Sequence, residues 1–561
     1  MNALIRNQNG MALFIALMLT LMLSIIGIGI ITTSNDEITI AGNELNEMTA
    51  FYAAEAGLEK ASAVIQTHFE TTNLAPTTLP SGTESLSDAT VSYASSDGGA
   101  AVMRKLSTGP FMGLNALVKT YTITSTGESQ VDKSKIIVSQ DFECALVPIF
   151  QFAVFYQEML QASPAYGMTI DGRVHVNGDM WVQGWSGLTF GDKVTCAGDI
   201  HHGLQNGAEA GAPGGVYFQD GDGNSVNMNS GGNWLDASDS DWYTDATARW
   251  DGNVRDKAFG QGEVNMPIGG SGSPHKIVER DNGGANPDSY ENKATLKIID
   301  GVAWHFSGGA WSDVTANLTA AGAMTYNSTT EFTDGHEAKT VLATEIDMAA
   351  LDASSYAPPN GVIYVSDHRA VTSSEMNGTV LTNGADIGSP LTLVSENPTY
   401  VEGDFNNVDK QPAAIISDAC TFLSNEWAST NKAKSHLNYN YRSVSSAAEV
   451  NVSIITGDLT PTSSNYGGGL ENLPRFLEHW SGKEFKFRGS MICLWKSTTA
   501  DGTYKYKGSP GYYSAPFRNW GFDHDLEDPT KLPPETPQVQ YFQRIGWKQD
   551  YVGVSRSDMG L

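Results

Sequence analysis

An uncharged apolar run near the N-terminus constrains this chain more than any other feature. A short leader, MNALIRNQNG, ends at Gly10 and is followed directly by the run Met11–Thr32. About 20 apolar residues in a helix cross the hydrocarbon core of a bilayer, because each residue rises about 1.5 Å. Helical periodicity then continues without a proline through TSNDEITIAGNELNEMTAFYAAEAGLEKASAVIQ. The pattern predicts one helix over residues 11–70 that begins in a membrane and continues outside it.

Two ordinary alternatives compete with this interpretation. A secretory signal peptide has a shorter apolar core, followed by a cleavage site of small residues. Here the apolar run is too long, and no such cleavage site follows it. A plain single-pass anchor explains the apolar run, but not the Gly10 junction or the helix beyond it. The leader contains Arg6 and no acid, whereas Asp36 and Glu37 follow the run. The positive-inside tendency therefore predicts a cytoplasmic N-terminus and an exported remainder.

The charge balance excludes one class of partner. The chain has 63 acidic and 34 basic residues and a net charge of −29. Nucleic-acid binding needs basic patches against phosphate, so we expect no nucleic-acid partner. Four cysteines, Cys144, Cys196, Cys420 and Cys493, form no C-x-x-C pair, and both free thiols and disulfides stay open.

The residues after the helix predict β-structure in two parts. Residues 71–160 contain a loop-rich stretch and then ALVKTYTITSTGESQVDKSKIIVSQDFECAL, whose period-two alternation predicts a hairpin and a small β head. Residues 161–561 are predicted to form a β-rich ectodomain. Its Gly/Asn/Asp/Ser-rich part, about 204–345, is interpreted as a long insertion. The fold class is therefore α+β.

A returning Gly-Asp phrase suggests how the ectodomain is built. VHVNGDM ends at Met180 and VTCAGDI ends at Ile200, and the phrase returns near Asp404 and Asp458. This spacing suits the rung of a β-solenoid, in which short strands bury their apolar faces only by stacking. Glycine would supply a positive φ at each corner, and Asp would bond the turning backbone. Independent hairpin turns are the alternative.

Candidate ligand sites in the ectodomain are few. Alternating oxygens at Asp220, Asp222 and Asn224 could wrap a calcium ion, but Ser225 and Gly231 break the EF-hand pattern, and a turn with Asx bonds is the alternative. A second acidic stretch could bind calcium or a sugar ring; it contains Asp236, Asp239, Asp241 and Asp245, flanked by Trp234 and Trp242.

Nothing in the sequence indicates an enzyme. GxSxG, HExxH and GxxxxGK[ST] motifs are all absent. His175 lies about one rung from the adjacent His201 and His202, and a pair of stacked surface histidines is favoured over a metal site there. His479 and His524 are interpreted as structural. We expect no cofactor, with calcium as the one exception.

The N-terminus resembles the PilX-type minor pilins of type IV pilus systems. The similarity extends over GMALFIALMLTLMLSIIGIGIITTSNDEITIAGNELNEMTAFYAAEAGLEKA, Gly10 to Ala61, and the combination of IAGN with AFYAAEAGLE is characteristic. The C-terminal YGGGLENLPRFLEHWSGKEFKFRGSMICLW and YSAPFRNWGFDHDLEDPTKLPPETP also resemble large PilX-type proteins with solenoid-like ectodomains. Residues 1–10 then correspond to a prepilin leader and residues 71–160 to a pilin-like head.

The resemblance implies roles for three residues. Gly10 corresponds to the residue before prepilin peptidase cleavage, and Met11 to the mature, methylated N-terminus. Most pilins have Glu at the fifth mature position, where this chain has Ile15. In the usual packing model that Glu pairs with the terminal amine of a neighbouring subunit. The K-type minor pseudopilin, which lies at the filament tip, also lacks it.

The sequence therefore predicts a non-enzymatic minor pilin that helps prime or cap pilus assembly at the filament tip. Its expected partners are other minor and major pilins, prepilin peptidase and the inner membrane, which it would leave for the pilus and cell surface. A head of about 490 residues has a radius of gyration near 23 Å, against about 14 Å for a typical pilin head, which favours the tip. A pilus-displayed adhesin or binding module and a membrane-anchored extracytoplasmic enzyme are the alternatives.

Overall fold

A long helix and an antiparallel sheet make up the first of two compact units. The computed structural model describes residues 8–72, 76–205, 212–266, 273–326, 331–462, 466–504 and 511–552. The first unit comprises residues up to Ala101, Val118–Cys144 and the chain from Phe542 onward. The elements of the N-terminal part are α1 (Gln8–Thr72), β1 (Ser81–Ser85), β2 (Ala89–Asp97), β3 (Val102–Lys105), β4 (Asn115–Ser129) and β5 (Lys135–Pro148).

Small residues allow α1 to approach this sheet closely. Its buried face carries Ala50, Ala53, Ala54, Leu58, Ala61, Ile65 and Phe69 at helical spacing. Strand β2 pairs antiparallel with both β1 and β4. Gly127 on β4 lies under the helix, where a Cβ atom would fall on the carbonyl oxygen of Ala50. The unit thus has a helix followed by an antiparallel sheet, as predicted.

The second unit is inserted into the first between Cys144 and Phe542, apart from Val102–Leu117, which also belongs to it. It begins with short strands that recur in groups of three. They are β6 (Val154–Tyr156), β7 (Leu160–Ala162), β8 (Met168–Ile170), β9 (Val174–Val176), β10 (Met180–Val182), β11 (Leu188–Phe190), β12 (Val194–Cys196), β13 (Ile200–His202) and β14 (Val216–Gln219).

Corresponding strands of successive groups pair in parallel with no change of register. Met180 lies between Leu160 and Ile200, and Val174 lies between Val154 and Val194. Each group contributes one strand to each of three sheets, ordered β6-β9-β12, β7-β10-β13 and β8-β11-β14. The inward residues of these strands are buried, because stacking places the apolar side chains of one group against those of the next.

The central stretch contains both hairpins and further parallel strands. Its elements are β15 (Ser225–Asn227), β16 (Asn229–Ser230), β17 (Asn233–Trp234), α2 (Trp242–Trp250), β18 (Val254–Arg255), β19 (Leu296–Ile299), β20 (Val302–Ser307), β21 (Ala310–Asp313), α3 (Thr315–Ala320), β22 (Met324–Tyr326), β23 (Phe332–Asp334), β24 (Lys339–Asp347) and α4 (Met348–Asp352). Residues 204–345 therefore differ from a simple insertion, because β14 and β18 extend the parallel sheets. The strands in this Gly- and Asn-rich stretch are too short to show a clear alternation of apolar and polar residues, so the sequence did not indicate them.

The C-terminal part returns to regular parallel strands. They are β25 (Val362–Ser366), β26 (Glu375–Thr382), β27 (Leu391–Ser395), β28 (Thr399–Glu402), β29 (Ala413–Ser417), β30 (Cys420–Leu423), β31 (Ala448–Asn451), β32 (Ser453–Asp458), β33 (Pro474–Arg475), β34 (Glu484–Gly489), β35 (Met491–Lys496), β36 (Phe517–Phe522) and β37 (Gln538–Val552). A long sheet joins both halves of the unit in the order β18-β12-β9-β6-β35-β32-β29-β27-β25-β19-β20-β21. The second half therefore stacks on β6, where the first half begins.

The sheet of the first unit is completed by β37, the last strand that the structure describes. Its order is β1-β2-β4-β5-β37, so a strand beginning at Gln538 lies beside β5. Within the unit, Phe142 stacks on Phe542 at 5.6 Å, and Gln543 Nε2 donates to Glu143 Oε2 at 2.6 Å. The boundary read from the sequence near residue 160 thus differs from the observed division at Cys144. The period-two pattern of β5 does not reveal which distant strand pairs with it.

The Gly-Asp turns at Gly178 and Gly198 lie on one edge of the stack. The N–H of Gly198 donates to the carbonyl oxygen of Gly178 at 3.1 Å, and Asp179 Oδ1 accepts from the N–H of Asp199 at 2.9 Å. The expected positive φ is wrong for both glycines. Close stacking explains them instead, because a Cβ on Gly178 would lie 2.8 Å from the carbonyl oxygen of Glu158.

The distant copies of the phrase occupy two different positions. Gly457 lies in β32 of the long sheet, opposite Trp495. Gly403 follows β28, which belongs to a sheet with β26 and β30, and this glycine does have a positive φ of 73°. One sequence phrase therefore occurs both inside a strand and at the turn that follows a strand.

Candidate functional site

The N-terminal helix is the candidate site for membrane anchoring and assembly. Helix α1 contains a segment that is long and apolar enough to cross a membrane, and none of that segment is buried. Large apolar side chains point outward on all sides there, with Leu13, Phe14 and Leu23 at 60% exposure or more. In a soluble protein such a surface would be unstable in water. The segment therefore requires a lipid or protein environment that surrounds it.

The three sequence-predicted residues lie at the beginning of this helix. Gly10 and Met11 are already helical, and among the described residues nothing beyond the helix's own turn would lie within 4 Å of a Cβ at Gly10. The side chain of Ile15 is 53% exposed, among other apolar residues. An isoleucine here presents methyl groups where a glutamate would present a charge. The helix can therefore offer no carboxylate at this position to a neighbouring amine.

The apolar surface of α1 continues beyond the uncharged run. Ile38, Leu45 and Tyr52 recur every seven residues and are each 59% exposed or more. Seven residues make almost two full turns, so these three side chains lie on one side of the helix. They are exposed, whereas the alanines that pack on the sheet are buried. Asp36 and Glu37 are not part of this row of apolar side chains. From Ala50 onward α1 thus has one face packed on its own sheet, whereas the apolar side chains of Ile38, Leu45 and Tyr52 are exposed.

The loop that carries Asp220, Asp222 and Asn224 is a tight turn between β14 and β15. Asp220 Oδ1 accepts from the N–H of Asp222 at 3.0 Å and from that of Asn224 at 2.7 Å. These bonds lower the pKa of the Asp220 carboxyl, with the Asn224 side-chain bond as the main cause. The geometry is that of the Asx turn, the alternative raised from the sequence. Calcium binding at this loop stays a prediction.

The second acidic stretch organises its own backbone. Asp236 Oδ2 accepts from the N–H of His202 at 2.9 Å, and Asp239 Oδ2 accepts from the N–H of Asp236 at 3.0 Å. Trp242 is buried and donates through Nε1 to Asp256 Oδ2 at 2.7 Å. Trp234 stacks flat on His202, with 3.5 Å between ring centroids. The two tryptophans therefore do not form a shared sugar-binding face.

The histidines of the first strands are not brought together as a set. His175 lies in β9 of the long sheet, whereas His201 lies in β13 beside Trp181, on which it stacks at 4.2 Å. His175 is fully buried between Thr195 Oγ1 at 2.8 Å and Asn177 Oδ1 at 2.9 Å. Burial lowers its pKa to about 4, so it is neutral at pH 7. Among the described residues, no group of three or more His, Cys, Asp or Glu side chains could hold a metal ion.

A buried polar network around Arg475 is a feature that the sequence did not indicate. Arg475 Nη1 donates to Glu337 Oε1 at 3.1 Å, and Glu337 Oε2 accepts from the N–H of Gly502 at 2.7 Å. Nearby, Asp418 accepts from the N–H groups of Thr498, Thr499 and Ala500 at 2.6–3.0 Å. The network attaches the chain around residue 500 to the parallel sheets. No local motif could show it, because Glu337 and Arg475 are 138 residues apart.

The four cysteines are all buried and free in the structure. They lie in β5, β12, β30 and β35. Burial raises the pKa of each thiol, and that of Cys144 reaches about 12. Neutral buried thiols of this kind act as small apolar side chains rather than as nucleophiles.

One of three comparisons with known proteins, the match to a protein-family model, agrees with the N-terminal resemblance. The family model described as PilX N-terminal matches residues 9–59, which lie within α1. Comparison with curated proteins gives no match. Among solved structures, the chain is similar to the crystal structure of the competence-associated pilin ComZ from Thermus thermophilus, with 13% identity, 91% of this chain and 98% of that chain covered, and a TM-score of 0.20. The family match confirms the resemblance of this N-terminus to the minor pilins of type IV pilus systems.

Proposed function

We propose that this protein is a non-enzymatic minor pilin that helps prime or cap a type IV pilus at its tip. It is anchored in the inner membrane by the apolar part of α1, with its N-terminus in the cytoplasm. Other minor pilins and the major pilin are its partners in the filament. The observation that carries the proposal is α1 itself, which matches the PilX N-terminal model over residues 9–59 and exposes apolar side chains on all sides of its first half.

The position at the tip is supported by Ile15 and by the size of the second unit. A subunit without the carboxylate cannot form the ion pair that holds a pilin in the regular packing model. The inserted unit extends from Ala145 to Tyr541, which is much larger than a pilin head that fits between shaft neighbours. Both features favour a position with fewer neighbouring subunits.

Prepilin processing provides the first test. We propose that prepilin peptidase cleaves after Gly10 and that Met11 is then methylated. N-terminal peptide analysis of the membrane form should begin at Met11, with a mass increase of one methyl group on its amine. A Gly10→Val variant should accumulate uncleaved, and Gly42→Ala is the matched control because Gly42 lies farther along the same helix. Mature protein that retains residues 1–10 would contradict the proposal.

We also propose that the β-rich unit is a solenoid displayed by the filament. The repeated three-strand groups with constant register support this interpretation. A solenoid offers long, rigid outer faces, so a second function as a pilus-displayed binding module is compatible with the same anchor. A cleft in this unit that is lined by Lys193 and Arg255 favours this second function.

A further inference from the structure

A cleft of about 340 Å³ in the second unit is lined by basic residues. One wall is the loop 107–112, and the other carries Lys193, Thr195 and Arg255. Its volume lies near the lower end of the range for small-molecule sites. In a chain with a net charge of −29, a concave site with this lining has a local charge opposite to that of the whole molecule.

Parallel stacking brings the cations together. Arg173 and Lys193 precede β9 and β12 at equivalent positions, and the carbonyl oxygen of Lys193 accepts from the N–H of Val174 at 3.0 Å. Arg255 lies in β18, opposite Thr195 of β12. Neighbouring strands are about 4.8 Å apart, so Lys193 and Arg255 lie on adjacent rungs within the cleft. Arg173 lies on the next rung, outside the lining of the cleft. Like charges at this spacing repel each other unless an anion is present.

The two cations that line this cleft are only partly compensated by nearby acids. In the part of the chain that the structure describes, neither Lys193 nor Arg255 forms an ion pair, and the Nη1 atom of Arg173 is buried without a hydrogen-bond partner. Asp192 Oδ2 lies 3.9 Å from Arg173 Nε, and Glu527 acts on Arg173 from farther away. The pKa of Lys193 is lowered, first by burial and then by Arg173, with a smaller effect of Arg255, while Asp192 opposes the shift.

In a second cleft of similar size, acidic side chains neutralise the lysines. That cleft has a volume of about 330 Å³ and contains Lys410 and Lys531. Lys410 Nζ lies 2.9 Å from Asp523 Oδ1 and 2.7 Å from Asp525 Oδ2, and Lys531 Nζ lies 2.7 Å from Asp525 Oδ1. Two acids thus balance two bases there. The Lys193 cleft has no such acids among its lining residues.

The opposite wall of the Lys193 cleft is held in place. Phe111 is buried against His175 and Phe152, with ring centroids 5.2 and 5.7 Å apart. Arg173 Nη2 donates to the carbonyl oxygen of Met112 at 2.6 Å. The exposed hydroxyls of Ser107 and Thr108 therefore lie on a loop whose position is fixed on both sides. A preformed site of this kind loses little entropy when a ligand binds.

We propose that this cleft binds a phosphate or sulfate group, either as the free anion or as an ester on a small molecule such as a sugar. Arginine and lysine are the side chains that bind such oxyanions most strongly, and hydroxyl groups at the rim supply neutral donors. The site belongs to the second unit alone and does not depend on entry of the chain into a filament.

Calorimetric titration of the full chain in detergent, at low ionic strength, tests the proposal. The probes are inorganic phosphate, sulfate, glucose 6-phosphate and glucose. The unmodified chain should bind the oxyanions at one site and should not bind glucose. Lys193→Gln and Arg255→Gln should each weaken phosphate binding by about tenfold or more, because each removes a charge-assisted hydrogen bond. Lys531→Gln is the matched control and should leave binding unchanged.

The outcomes separate the two sources of the anion. Tighter binding of glucose 6-phosphate than of phosphate assigns an ester ligand, and equal binding assigns the free anion. Thermal unfolding of both variants checks that they remain folded, and either variant suffices if the other unfolds. Absence of saturable oxyanion binding by the unmodified chain would overturn the proposal, as would equal weakening by Lys531→Gln.

Discussion

At the scale of single residues, Gly127 controls how closely the helix approaches its sheet. Replacement by alanine places a methyl group on the carbonyl oxygen of Ala50 and 2.7 Å from the amide nitrogen of Ala54. Both neighbours are backbone atoms of a long helix, so they cannot move aside independently. We expect Gly127→Ala to reduce the free energy of unfolding of the first unit by about 1–3 kcal/mol.

Denaturant unfolding of the detergent-solubilised chain measures this effect. Gly42→Ala is the control, because nothing lies within 4 Å of a Cβ there, and an alanine in a helix stabilises by up to about 1 kcal/mol. If Gly127→Ala unfolded at the same denaturant concentration as the unmodified chain, or at a higher one, the close packing of Gly127 under α1 would be refuted.

Glu402 provides a pH-dependent test at the same scale. Burial raises its pKa to about 7, and Glu345 and Glu478 add to the effect. The pKa of Glu402 in the folded chain lies above its value in the unfolded chain, so this carboxyl favours the folded state most when it is protonated. Its contribution to the free energy of unfolding is complete below about pH 4.5 and is lost as pH rises through 7. Glu402→Gln keeps an oxygen for the N–H of Ala428, which lies 3.2 Å from Glu402 Oε1.

The stability difference between Glu402→Gln and the unmodified chain should therefore grow in favour of the variant from pH 5 to pH 8. Thermal unfolding at each pH unit measures it, and groups that titrate in both proteins cancel in the difference. A constant difference over this range would show that Glu402 ionises normally.

At the scale of elements, the parallel strands depend on glycine at their stacked corners. A Cβ on Gly198 would lie 2.7 Å from the carbonyl carbon of Gly178 in the preceding group. We expect Gly198→Ala to destabilise the second unit by about 1–3 kcal/mol, because the two backbones must separate. Limited proteolysis and thermal unfolding would measure the loss.

The matched control is Gly262→Ala, where no described residue other than its chain neighbours lies within 4 Å of the added methyl group. That variant should unfold like the unmodified chain. Equal unfolding temperatures for Gly198→Ala and the control would contradict the role of Gly178 and Gly198 in close stacking.

At the scale of the whole molecule, Ile15 and the inserted unit both bear on the position in the filament. Ile15→Glu alone should increase incorporation little if the size of the second unit limits entry to the shaft. Excision of residues 145–541 with a short linker should remove that limit, because Phe142 and Phe542 already stack on each other. Truncation from residue 150 to the C-terminus is unsuitable, since it also removes β37.

The combined variant should enter the shaft, whereas the unmodified chain should remain rare and at filament ends. Quantitative immunoblots of sheared filaments against the major pilin measure abundance, and gold labelling shows location. Labelling of the unmodified chain along the whole shaft, at near the abundance of the major pilin, would refute the tip position.

The sequence by itself determined the features that depend on local pattern. An uncharged run of helical length at Met11–Thr32 can bury its side chains only in an apolar environment, whatever the rest of the chain does. The spacing of VHVNGDM and VTCAGDI likewise predicted strands that pair at Met180 and Ile200, because equal spacing and equal burial permit one register.

Only the tertiary structure decided the contacts between distant parts of the chain. Three contacts leave no local signal, because their partners lie far along the chain. They are the pairing of β37 with β5, the bond from Arg475 to Glu337, and the pairing of Arg255 with Thr195, which brings Arg255 into one cleft with Lys193. The role of Gly178 is similar. The sequence around it indicates a turn, but glycine is needed there because folding brings the carbonyl oxygen of Glu158 to within 2.8 Å of where a Cβ would lie.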